Sequence, residues 1–191
     1  FERVDAVFQN EFKERTGEDK KLLENTYKGF VRNGARLDDE KKKELRDIDQ
    51  ELAKLSPDYS EKIIKATGAF ELNVQSEEDV EGLPKSTLSA AQKAAKEKGL
   101  DGWLFNLEMP SYVPFMTYCP NRELREKMWR SYTSRCLGGD YDTTQIINKI
   151  VALRHKRARL LGYESHSDYV LEERMAKSKD QVMKFLGELI D

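Results

Sequence analysis

Few residues in this sequence have the types and spacing that do chemistry. The two histidines, His155 and His166, stand eleven positions apart, and neither is followed by glutamate. A structural zinc site takes four nitrogen or sulfur ligands, and nothing near either histidine completes a set. No metal ligand is assigned on this ground. No nucleophile–base pair is legible, so no catalytic residue is assigned either. Arg154, Lys156, Arg157 and Arg159 form a basic cluster that could meet a carboxylate or a phosphate. At helical spacing, however, it spreads around an outer face, where pairing with acids such as Glu164 and Asp168 is expected. Cys119 and Cys136 lie in an aromatic neighbourhood and read as unpaired, buried thiols.

The richest stretch runs from Gly102 to Arg135, with Trp103, Phe105, Tyr112, Phe115, Tyr118, Trp129 and Tyr132. Trp103, Tyr112 and Phe115 are candidate substrate-binding residues, rings that could line a peptide-binding wall. The competing reading is that they fill a local core, which is how large apolar rings usually stabilise a small sheet. Trp103–Leu107 and Val113–Tyr118 read as two short strands around a Met109-Pro110-Ser111 corner, since Pro110 and Pro114 exclude a plain helix. Trp103 is expected to anchor this hairpin to the helix that Asn121 caps, which runs to about Cys136.

The elements around this stretch are mostly helical. Residues 1–34 predict an antiparallel helix pair broken at Gly17, with Val4, Phe8 and Phe12 facing Leu23, Tyr27 and Phe30. Asp38 is a plausible N-cap for a long helix, and Pro57 predicts a kink or a restart at Ser56. Phe70–Val74 alternates apolar and polar and suggests a short strand. Pro84 opens a helix with small alanines that Gly99 ends. Thr143 begins another, closed by Gly162, and Ser165 and Ser178 cap the last two. Together these predict a mainly α fold, a helical bundle-like domain with a short β-hairpin-like strand pair. The division expected is 1–34 and 35–191, with the short strands around 103–118.

Composition narrows the function classes. Of 191 residues 36% are charged, and the net charge is −2. A balance of this kind gives no electrostatic reason to expect nucleic acid or an anionic membrane as partner. No apolar run approaches the ~20 residues of a membrane span. The sequence starts at Phe1 without a methionine and stops inside a helical pattern, with Val182, Phe185, Leu186 and Leu189 on one face. It reads as part of a longer protein, with bare apolar faces expected on the first and last helices.

PSYVPFMTY, then NRELREKMWRSYTSR, GGDYD, IINKIVALRHKRARLLGYESHSDY and MAKS occur in one order. With the upstream ARLDDEKKKELRDIDQELAKLSPDYSEKIIKATGAFEL, they resemble the N-terminal part of the thimet-oligopeptidase-like zinc metallopeptidases, which include oligopeptidase A and the peptidyl-dipeptidases. The resemblance covers about Ala35 to the end. It implies a cytoplasmic parent enzyme that cleaves short peptides, with two mainly helical halves flanking a channel. In that family an HExxH helix places two histidines on one face to hold zinc, with the glutamate as general base. This sequence contains no HExxH. The resemblance therefore implies zinc in the full-length parent and none in this chain, which alone is expected to be inactive. Its expected partner is the missing C-terminal catalytic half. The alternative is a stand-alone helical interaction module.

Overall fold

Short polar side chains and left-handed glycines punctuate the chain where the sequence predicts. The computed structural model describes residues 1–190, which form two compact units, one of residues 1–54 with 149–190 and one of residues 55–148.

In the first unit, α1 (Glu2–Glu11) and α2 (Gly17–Arg32) pack as an antiparallel pair. Phe1 meets Phe30 at 6.0 Å and Phe8 stacks on Tyr27 at 3.7 Å. The apolar face expected to be bare on the first helix is partly covered by the second: Val4 and Phe8 are half-buried, while Phe1 stays exposed. Gly34 ends α2 in the left-handed region (φ 84°), and a Cβ there would lie 2.5 Å from the Leu45 side chain. Asp38 caps α3 (Asp39–Ala69), its carboxylate accepting from the Lys41 N–H at 2.8 Å. Of the kink or restart expected at Ser56, the restart does not occur: α3 continues through Pro57. Only the proline's own ladder bond is necessarily lost, and the flanking turns hold the helix together.

Helix α7 (Thr144–Leu160) lies against the first part of α3 through Lys156–Glu44 at 2.7 Å, Arg157–Asp49 at 2.7 Å, and Lys149–Glu51. Two members of the basic cluster, Lys156 and Arg157, therefore pair with α3, whereas Glu164 and Asp168 meet Lys179. Gly162 closes α7 at φ 90°, with Tyr163 N–H donating to the Ala158 carbonyl and Gly162 N–H to Arg159. Those two bonds are the Schellman pattern. Ser165 and Ser178 cap α8 (His166–Leu171) and α9 (Lys179–Glu188) as expected.

The second unit is built on a small antiparallel sheet. Strand β1 (Leu72–Val74) pairs with β2 (Trp103–Phe105), in the register Leu72 opposite Phe105 and Val74 opposite Trp103. The fold is mainly α with one strand pair, but the pair differs from the expected hairpin. Val113–Tyr118 is helical, part of α5 (Met109–Tyr118). Pro110 sits in the first turn, where an N–H has no intrahelical partner, so its missing donor costs nothing. Pro114 removes one bond, and burial of Phe115 offsets it.

Helix α4 (Lys85–Glu97) lies on β2 with Ala91 and Ala95 buried. Gly102 enters β2 at φ 83°, and a Cβ there would come within 2.2 Å of the Val74 carbonyl oxygen, so only glycine lets the strands close. Asn121 caps α6 (Arg122–Thr133), accepting from the N–H groups of Glu123 and Leu124 at 2.9 and 3.2 Å. The buried core joins Leu72, Val80, Phe105, Leu107, Phe115 and Met128.

Candidate functional site

Alternation places the odd residues of β2 on one face of the sheet, and the helical period of α5 decides which rings turn inward. Phe115 is fully buried, tilted against Phe105 with ring centroids 4.6 Å apart. It presents no surface to a ligand. Three residues earlier on α5, Tyr112 is half-buried and stacks on Tyr132 of α6 at 4.2 Å. The Arg135 guanidinium covers the Tyr132 ring at 3.7 Å, and it is fixed by Thr67 Oγ1 at 2.9 Å and the Tyr132 carbonyl at 3.0 Å. Burial pushes the Tyr112 phenol up from its ordinary value, and neighbouring Tyr132 pushes the same way. A ring held this way is a positioning surface, with no acid–base role near neutral pH.

Trp103 starts β2 opposite Val74 and is packed against the core on one side. It also lines a cleft of about 430 Å³ with Glu77, Glu78, Val80, Glu81 and Leu88. The three candidate rings thus share one core but not one wall. Trp103 faces an acidic cleft, Tyr112 belongs to a stacked ladder, and Phe115 lies inside.

Both cysteines are free and buried. Burial raises the Cys119 thiol, whose Sγ lies 3.2 Å from the Asp79 carbonyl oxygen, so it is not a poised nucleophile. His155 is exposed on α7, and His166 begins α8 with its Nδ1 buried and without a hydrogen-bond partner. Burial pulls the His166 imidazole down, and Arg154 and Arg157 add to the effect. Among the described residues no three His, Cys, Asp or Glu side chains are grouped to hold a metal ion.

One polar cluster escapes the sequence. The Arg32 side chain, 12% exposed, pairs with Glu172 and donates to Tyr163 Oη at 3.1 Å and the Tyr169 carbonyl at 2.7 Å. Its guanidinium also lies 4.2 Å over the Tyr169 ring, and Tyr163 Oη donates to Glu172 at 2.7 Å. Each group here satisfies another, which makes the cluster a brace between α2 and α8. An arginine at a helix end carries no mark of a partner 140 positions away.

Among the described residues no helix is long and apolar enough to cross a membrane. Residues 115–191 match Peptidase family M3. Oligopeptidase A of Haemophilus influenzae is 37% identical over 186 residues, which are 95% of this chain and 27% of that protein. Oligopeptidase A of Escherichia coli is 37% identical over 175 residues, 89% of this chain and 26% of its own length. Dipeptidyl carboxypeptidase of Escherichia coli is 30% identical over 195 residues, covering 100% of this chain and 28% of its own. The chain thus spans about a quarter of the length of the curated relatives it matches. It is homologous to the peptidases of family M3.

Proposed function

We propose that this chain is the non-catalytic, N-terminal part of a zinc-dependent oligopeptidase or peptidyl-dipeptidase that hydrolyses short peptides in the cytoplasm, and that it forms one wall of the substrate channel. The observation that carries the proposal is the similarity to oligopeptidase A along 95% of the chain. Chemistry within the chain agrees with a supporting role. The sequence holds no HExxH, the buried cysteine is not activated, and the histidines do not converge on a metal set. Zinc and the hydrolytic step rest with another part of the protein, its C-terminal catalytic half. What this chain offers is aromatic surface: Trp103 at its cleft and the edge of the Tyr112–Tyr132 ladder are the candidate contacts to peptide. Phe115 acts from beneath, by holding α5 in place.

The test is genetic first and enzymatic second. Reading the encoding gene past Asp191 is expected to reveal an HExxH a few hundred residues on. The full product should then cleave a quenched-fluorescence short peptide, with no turnover by the 191-residue chain alone. A stop codon directly after Asp191 would overturn the proposal and leave the stand-alone interaction module in its place.

A further inference from the structure

Away from the Trp103 cleft, α5 and α6 border a second, open hollow of about 360 Å³, lined by Met116, Arg122, Arg125, Glu126 and Trp129. Its charge is unbalanced in a specific way. Arg125 points Nη1 at the carbonyl oxygens of Cys119 and Pro120 and has no carboxylate partner among the described residues. Exposed Arg122 likewise has no carboxylate partner there. The acid in the hollow, Glu126, is already taken by Arg130, through Nη2 at 2.6 Å and Nε at 2.7 Å. Two guanidinium groups therefore face the hollow with no free anion to answer them. Beside them the Trp129 ring is 48% exposed, although Met128 next to it is fully buried. An exposed indole and a thioether form an apolar floor, and a planar guanidinium is the donor best matched to a carboxylate. The volume falls at the small end of ligand clefts. It suits one or two residues of a peptide and no folded surface.

We infer that this hollow binds a carboxylate carried next to an apolar side chain, as at the C-terminus of a short peptide. Arg122 grips the carboxylate, and Trp129 with Met116 takes the terminal side chain. Arg125 adds positive charge while keeping its carbonyl bonds. The choice of a peptide rests on the peptidase reading above. The test reads binding by this chain and no cleavage, so its failure and the failure of that reading are distinguishable.

The probe is an acetylated Ala-Ala-Phe tripeptide, as free acid and as C-terminal amide, titrated calorimetrically into the 191-residue chain. The acid should bind at least ~10-fold more tightly than the amide, the margin set by an unpaired charge–charge hydrogen bond. Arg122→Gln should erase that difference, and Arg122→Lys should restore part of it. Trp129→Ala should weaken acid and amide alike. Circular dichroism of each variant checks that α6 persists. Equal binding of acid and amide by the unmodified chain would overturn the inference, as would an acid preference that survives Arg122→Gln. Phenylpropionate binding as tightly as the tripeptide would overturn the assignment to a peptide.

Discussion

His166 carries a consequence for stability that can be worked out in sign. Its imidazole is pulled down by burial, with Arg154 and Arg157 contributing, while the unfolded chain keeps the ordinary value of about 6.5. Below that pH the unfolded chain takes up a proton that the folded ring resists. The associated stability is full above about pH 6.5 and drains as the pH falls towards the folded value. Urea midpoints measured at pH 7.5, 6.5 and 5.5 should therefore decline, and His166→Phe should flatten the decline. A slope unchanged by that substitution would remove His166 from the account. At this scale the sequence is readable where a side chain acts on its own neighbours. Asp38, Asn121, Ser165 and Ser178 all cap as predicted. It is unreadable where partners come from far off, as with Arg32 and Glu172, or Arg157 and Asp49.

Proline decided how well the elements could be read. A strand was expected over Val113–Tyr118 because two prolines and an apolar run argue against a helix, yet α5 forms there. Its residues are apolar on several sides, so no helical stripe stands out against the polar background. Phe115 in the core fixes the choice, and that contact is tertiary. The β2 half of the expected hairpin is real, but its partner is the Leu72–Val74 segment. Pro57 offers the converse experiment. It is exposed, and α3 runs on past it to Ala69 without a break. Replacing it with alanine restores one ladder bond and removes a ring clash. Pro57→Ala should raise stability by about 1–3 kcal/mol in urea unfolding. A loss of stability instead would show that the proline shapes α3 in a way the core depends on.

For the molecule as a whole, the exposed apolar surface is the feature with the widest reach. The first helix is partly covered by its neighbour, but α9 and its C-cap leave Met183, Phe185, Leu186 and Leu189 exposed, with Phe185 at 59% and Leu189 at 66%. So many exposed large apolar side chains within one short helix are unusual on a soluble monomer. The folded chain should bind a hydrophobic dye under conditions where its urea transition remains cooperative. A double substitution, Phe185→Ser with Leu189→Ser, should remove most of that binding without moving the transition. Dye binding that persists in the double variant would place the patch elsewhere. The mainly α class was legible because helical periodicity and caps recur along the chain. The division into units at residues 54 and 149 was not, because both boundaries fall inside continuous helices, α3 and α7.

The pairing of β1 with β2 also says something about time. Val74 and Trp103 can meet only after the chain between them, α4 included, has been drawn into a closed loop. Closing such a loop costs entropy before any contact returns it. Helix α4, by contrast, forms from neighbours in sequence and can flicker into being within about a microsecond. The sheet at the centre of this unit is therefore expected to form after α4, and a substitution at Gly102, which lets the strands touch, should speed unfolding more than it slows folding, a split that a chevron of Gly102→Ala would read.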